Sequence, residues 1–253
     1  MKMEAEGLSF SYGENEVLRD VAFSLPERRL TCLLGQNGAG KSTLLRLLLG
    51  FLKPSTGRIT LDGRDLSSYK PRERASRLAY IPQDSPSVYA HTVKDMVLMG
   101  RAPGLGMLSR PGKRDEEIAE EAMEAMGIEK LSKRPVTELS GGEKALVLLS
   151  RALCQGAGIL LLDEPASSLD YSNRLLVLET LSGLADKGFS VLLSTHNPED
   201  ALLTEAAVLS LKNGKAALQE RLEEDTLSNL YGKRLRLLSV DTGKHLRTVC
   251  VPE

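Results

Sequence analysis

Apolar and polar residues change rhythm several times along the chain. Leu8-Ser9-Phe10-Ser11-Tyr12 alternates, Gly13-Glu14-Asn15 makes a turn, and Val17 to Phe23 follows as a second run. Alternation with a turn between predicts paired strands with one buried face. Leu30-Thr31-Cys32-Leu33-Leu34 is nearly all apolar. Such a run predicts a strand covered on both faces. Ser42 to Leu49 has helical character, with Gly50 as its stop. Gly57 to Gly63 reads as another alternating strand with a turn, and Leu78 to Pro82 as a strand that ends at Gln83.

From Asp84 to about Cys154 the pattern is helical. Val93, Met96 and Val97, followed by Gly100, predict a short amphipathic helix, and Arg101 to Gly112 reads as a loop. Lys113 to Gly127 is acidic, with Ile118, Ala122, Met123 and Met126 at helical spacing. Buried-strand character returns at Ile159 to Leu162 and at Phe189 to Ser194, with a helix predicted over Asn173 to Ala185. The tail carries weaker signals: strands near Ala207 to Leu209 and Leu235 to Val240, and a helix at Asp225 to Leu230. The order predicts an α/β fold with a mostly parallel sheet, an N-terminal antiparallel β-subdomain and a helical insertion. One domain is expected, divided as residues 1–83, 84–154 and 155–253.

Composition narrows the class. With 253 residues, 42% hydrophobic and 26% charged, the chain is ordinary for a globular protein with a real core. Its 33 Lys+Arg against 34 Asp+Glu leave a net charge of -1, which supplies no general attraction to nucleic acid. Cys32, Cys154 and Cys250 are scattered, so neither a zinc site nor a disulfide framework is indicated. The first residues lack a signal-peptide core, and no apolar run approaches the roughly 18 residues that span a bilayer. A soluble or peripheral protein in a reducing compartment is expected.

The chemistry concentrates in a few segments. Gly35-Gln36-Asn37-Gly38-Ala39-Gly40-Lys41-Ser42 matches the pattern G-x-x-x-x-G-K-[ST] between a predicted strand and helix, and Thr43 follows. Glycines let backbone N–H groups wrap a phosphate, and the helix start adds partial positive charge. Lys41 can reach β- and γ-phosphates, and Ser42 can ligate Mg²⁺. Ile159 to Leu162 delivers Asp163, suited to organising Mg²⁺, and Glu164, which can polarise a water as general base. His196 follows a buried strand, where parallel sheets place ligand contacts; it can bond a γ-phosphate or orient Glu164. His91 and His245 are read as ordinary histidines. Ser140-Gly141-Gly142 begins a helix over Glu143 to Leu153, as a second anion site or simply an N-cap. Gln83 can ligate a metal or water, or be a loop residue. Tyr12 can stack on a base, or pack in its strand.

Together these segments resemble the ATPase subunits of ATP-binding cassette (ABC) transporters, from Tyr12 to the tail. The resemblance implies a P-loop NTPase core. It makes Tyr12 the adenine-stacking aromatic, Gly35 to Thr43 the phosphate loop and Gln83 the Q-loop. Leu139 to Glu143 becomes the signature motif, Ser168-Leu169-Asp170 the D-loop, and His196 the switch histidine. It assigns catalysis to Glu164, His196 and Lys41, and metal binding to Ser42, Gln83 and Asp163, with ATP and Mg²⁺ as cofactors. It further implies a homodimer in which Ser140-Gly141-Gly142 of one subunit completes the partner's site. That dimer would dock on an integral membrane permease dimer served by a substrate-binding protein, at the cytoplasmic face. No nucleic acid partner is expected. The apolar Met96, Val97 and Met99 fit a docking face for the permease, or internal helix packing.

Val97-Leu98-Met99-Gly100-Arg101 and Ser168-Leu169-Asp170-Tyr171-Ser172-Asn173 are similar to importers of metal chelates: iron-siderophores, haem or cobalamin, with molybdate or tungstate as an alternative cargo. A soluble ABC ATPase of complex assembly is the other alternative. One departure stands out. Relatives often carry Gln-Arg where this chain has Ala145-Leu146, which removes a polar contact near the site.

Overall fold

The structure, a computed structural model, describes residues 1–83, 91–106, 109–241, 243 and 246–253. The start of the expected insertion (84–90), two residues of the expected loop (107–108) and His245 lie outside the described residues. The N-terminal elements are β1 (Met3–Tyr12), β2 (Asn15–Leu25), β3 (Leu30–Leu34), α1 (Lys41–Leu48), β4 (Thr56–Leu61) and β5 (Arg64–Asp65). The middle of the chain holds α2 (Pro71–Ala75), β6 (Leu78–Ile81), α3 (Val93–Leu98), α4 (Lys113–Ala125), α5 (Gly141–Gln155) and β7 (Ile159–Asp163). There follow α6 (Tyr171–Asp186), β8 (Ser190–Thr195), α7 (Pro198–Thr204), β9 (Ala207–Lys212) and β10 (Lys215–Gln219). The chain ends with α8 (Glu224–Tyr231), β11 (Leu235–Asp241) and β12 (Leu246–Pro252). Two compact units result: Met1–Ser68 with Leu181–Glu253, and Tyr69–Thr180.

The first unit contains an antiparallel sheet ordered β2-β1-β4-β5. In β1 the buried positions change phase, from Met3 and Ala5 to Leu8 and Phe10. A one-residue slip flips every side chain to the opposite face. The chain absorbs it with register shifts against both neighbours around Gly7, whose φ of 60° suits a bulge. The same unit holds strands ordered β10-β9-β3-β8. β3 runs parallel to β8 and β9, while β10 pairs antiparallel with β9. All five residues of β3 and all six of β8 are buried, as the unbroken apolar runs require. α1 buries Leu44, Leu45, Leu47 and Leu48 completely. Each such leucine is worth about 1.5–3 kcal/mol. β11 and β12 form a separate hairpin, with Leu235 opposite Pro252 and Asp241 opposite Leu246.

In the second unit β6 and β7 pair in parallel, Leu78 with Ile159 through Ile81 with Leu162. The helices α3, α4 and α5 pack on one another. Thr92 and Asp95 cap α3 reciprocally. Lys94 bridges to Glu116 (2.9 Å) and Glu120 (3.1 Å) of α4. Arg101 donates to Asp115 (2.9 Å) and to the carbonyl of Cys154 (3.0 Å), tying the segment after α3 to α4 and α5. A Cβ on Gly100 would lie 2.3 Å from the Arg151 carbonyl oxygen, so only glycine permits this approach to α5. Part of the stretch read as loop is therefore a 3-10 turn, Met99–Gly104.

Burial corrects the docking-face reading at one position. Val97 is fully buried and packs internally, whereas Met99 is exposed. Arg151 donates to the Met96 sulfur at 3.9 Å. Ala145 and Leu146 are both buried, so apolar side chains suit those two positions. Burial also pushes the thiol of Cys154 up to about 11 and that of Cys32 higher still. Neither thiol has thiolate character at neutral pH.

Candidate functional site

In the first unit the register of β3 and β8 places two predicted site segments side by side. Leu34 pairs with Thr195, so Gly35 and His196 leave neighbouring parallel strands at the same carboxyl edge. Ligand contacts in α/β sheets collect at that edge. The loop from Gly35 turns sharply, and the Ala39 amide donates to the Gln36 carbonyl at 3.1 Å. Gly40 has a φ of 101°, and a Cβ there would meet Val17 Cγ1 at 2.9 Å. Both conformation and space require glycine.

Lys41 opens α1 and is 5% exposed. Its ammonium donates to the carbonyls of Gly35 (2.8 Å) and Gln36 (3.2 Å), folded back over the loop. No side chain caps α1, and its first turn has no acidic residue. The positive end of the helix therefore faces the loop. Ser42 is half-buried, Thr43 is buried, and Asn37, Gly38 and Ala39 line a cavity of about 400 Å³ beside the loop.

His196 presents its backbone to a hydrogen-bonded frame. The buried Thr195 hydroxyl donates to the buried Asp200 carboxylate and accepts from the Asn197 amide at 3.0 Å. The Tyr231 hydroxyl donates to the His196 carbonyl at 2.7 Å. Gln36 Nε2 donates to the Leu230 carbonyl at 2.9 Å, one residue away on α8. Burial raises the Tyr231 hydroxyl well above the ordinary phenol range, so it is a protonated donor. Tyr12, at the end of β1, is 46% exposed and stands edge-on to Phe10 with ring centroids 4.8 Å apart. A half-exposed ring braced by a second ring has both packing and a free face.

In the second unit the pairing of Ile81 with Leu162 brings Gln83, Asp163 and Glu164 to one strand edge. Asp163 is 4% exposed, while Glu164 is half-buried. Glu164 has a φ of 46°, in the left-handed region that costs a non-glycine residue roughly 1–2 kcal/mol. Its carbonyl accepts from the Ser167 amide (3.2 Å) and hydroxyl (3.0 Å). Strain held this way is typical of residues whose orientation matters.

Ser140 and Glu143 form a reciprocal capping box on α5. The Ser140 amide donates to Glu143 at 2.8 Å, and this bond holds the Glu143 carboxyl below its ordinary range. The N-cap alternative for Ser140 is therefore realised, and the anion-site role is additional to it. Gly142 is tightly packed: a Cβ there would lie 2.1 Å from Asn173 Oδ1. Asn173 in turn bonds Asp170 through its amide N–H (2.9 Å) and its Nδ2 (2.7 Å). The signature segment and Ser168-Leu169-Asp170 are thus joined through one side chain.

Sequence reasoning did not single out Tyr231, Gln36, Asp200 or Asn173 as site residues. Gln36 sat inside the glycine motif as a variable position. The others carry no local signal, because their roles depend on contacts distant in sequence. His91 lies beside the α3 cap, away from these strand edges.

Residues 18–167, more than half of the chain, match the family described as ABC transporter. An uncharacterized ABC transporter ATP-binding protein of Haemophilus influenzae is 42% identical over 201 residues, covering 79% of this chain and 76% of that protein. The ferric enterobactin transport ATP-binding protein of Escherichia coli is 32% identical over 242 residues, covering 94% and 89%. Among solved structures, a metal-chelate type ABC transporter in an inward-facing conformation aligns at TM-score 0.88 and 31% identity, covering 99% of this chain and 96% of that one. The glycine loop on a buried strand, the carboxylates at a second strand edge and these matches agree: this chain belongs to the ABC transporter family and is a nucleotide-binding ATPase of it.

Proposed function

We propose that this chain hydrolyses ATP to drive import of a metal-chelate substrate, such as an iron-siderophore, haem or cobalamin, through a separate membrane permease. The supporting observation is the near full-length likeness to a ferric enterobactin transport ATPase. Among the described residues no helix is long and apolar enough to cross a membrane, which fits a peripheral subunit working with a permease. In this reading it sits at the cytoplasmic face as a homodimer. A substrate-binding protein delivers cargo to the permease.

The roles follow from the chemistry of each group. Lys41 and the amides of Asn37 to Thr43 hold the β- and γ-phosphates, exchanging the loop carbonyls now bonded to Lys41 for phosphate oxygens. The hydroxyl of Ser42, the carboxylate of Asp163 and the amide oxygen of Gln83 are hard oxygen donors, the set that Mg²⁺ takes. When bound, Mg²⁺ neutralises charge on the phosphates. Glu164 accepts the proton of the attacking water, and His196 donates a hydrogen bond to the γ-phosphate. Tyr12 stacks on adenine. Ser140, Gly141 and Gly142 complete the partner subunit's site, adding a helix start to the γ-phosphate.

The test is co-purification from solubilised membranes, followed by ATPase assay of the reconstituted complex with added metal chelates. A polytopic partner and chelate-stimulated turnover support the proposal. Association only with soluble proteins would replace import by complex assembly, and stimulation by molybdate or tungstate alone would change the cargo.

A further inference from the structure

The C-terminal segment has no part in the roles above, yet it holds two of the groups that do. α8 accepts from Gln36 of the phosphate loop at the Leu230 carbonyl, and its next residue, Tyr231, donates to the carbonyl of His196. α8 is itself anchored. Glu224 accepts from the Leu237 amide at 2.7 Å, and the Ser228 hydroxyl accepts from the Leu235 amide at 3.0 Å. Lys212 bonds Asn229 at 2.9 Å, fixing α8 to the end of β9. The hairpin that follows packs its second strand on α7, the helix that begins just after His196. The segment therefore grips the turn after β8 from both sides.

The His196 backbone is held by Tyr231 at its carbonyl, while Thr195 and Asp200 hold the next amide. The His196 side chain is exposed, so its direction is set chiefly through the backbone. We infer that Tyr231 is a positioning residue for His196, and that α8 links the phosphate loop to the histidine turn. This rests on the role given to His196 above.

Tyr231→Phe removes only the hydroxyl and keeps the ring. Single-turnover hydrolysis of γ-labelled ATP by the full chain, with Mg²⁺, is compared in wild type, Tyr231→Phe, His196→Ala and the double variant. The value of one hydrogen bond converts to a rate factor of about two to ten. We expect Tyr231→Phe to slow hydrolysis by about that factor, with ATP affinity and Tm nearly unchanged. In the His196→Ala background the same substitution should have no further effect, because both changes act through one group. Wild-type hydrolysis by Tyr231→Phe would overturn the inference while leaving the His196 role intact. Equal slowing in both backgrounds, or slowing that tracks a fall in Tm, would overturn it in favour of a purely structural tyrosine. Wild-type hydrolysis by His196→Ala would refute the His196 role, and the inference with it.

Discussion

Replacing Gly142 by alanine separates two accounts of the signature glycine. If Gly142 exists only to let a nucleotide approach, alanine in the first turn of α5 should be harmless without nucleotide. It should even stabilise by up to about 1 kcal/mol through helix propensity. The structure argues otherwise. The new Cβ would lie 2.1 Å from Asn173 Oδ1 and 2.5 Å from its Cγ, distances no real contact sustains. Asn173 cannot yield freely, because it bonds Asp170 at 2.9 and 2.7 Å. Overpacking of this kind costs about 1–3 kcal/mol, which outweighs the propensity gain. We expect a net loss of up to about 2 kcal/mol, hence a Tm lower by a few degrees in a chain of this size. The assay is thermal unfolding without nucleotide of Gly142→Ala, Asn173→Ala and the double variant. The double variant should recover most of the stability lost by Gly142→Ala, since the obstructing side chain is gone. A Gly142→Ala protein as stable as wild type would refute the packing argument.

Further outcomes follow from the same geometry. Glu164→Gln should keep ATP binding, slow hydrolysis by about 10²–10⁴, and promote an ATP-dependent dimer visible by size-exclusion chromatography; retained turnover would remove Glu164 as base. Leu45→Ala, at a fully buried site on α1, should cost about 2–5 kcal/mol in denaturant unfolding, and a cost under about 1 kcal/mol would contradict its place in the core. The carboxyls of Asp95, Asp115, Glu143 and Asp170 are held below their ordinary values of 3.8 (Asp) and 4.5 (Glu) by hydrogen bonds from Thr92, Arg101, Ser140 and Asn173. Groups with depressed folded values stabilise above their unfolded values and lose that contribution as pH falls through the folded ones. Tm should therefore be level down to about pH 5 and fall below about pH 4.5; a Tm unchanged to pH 3 would contradict these bonds.

Much of the fold was legible because its signals are short-range. The buried strand Leu30–Leu34 has the bounds its apolar run predicts, and α1, α4, α5 and α6 begin or end within a few residues of their predicted limits. The tail was less legible. α7 is short and announced only by Asn197-Pro198, an N-cap followed by proline at the first helical position. β10 contains Ala216 and Ala217 in place of larger apolar residues, and β12 is largely exposed, so neither shows a clear buried face. The phase change within β1 also hides its full length, because alternation restarts at Gly7.

The sequence by itself determined the local chemistry: a glycine loop between strand and helix, carboxylates at a strand end, a capping box at Ser140 and Glu143. Each depends on residues within a few positions of one another, which is the range over which periodicity and motifs act. Tertiary structure decided the rest. It buried Val97 while leaving Met99 exposed, set Glu164 at a φ of 46°, and filled the space beside Gly142 with Asn173. It also carried Leu230 to Gln36 across 194 positions and Tyr231 to His196 across 35. Such contacts close long loops, and their entropic cost is met only when many elements pack at once. No local pattern can encode them.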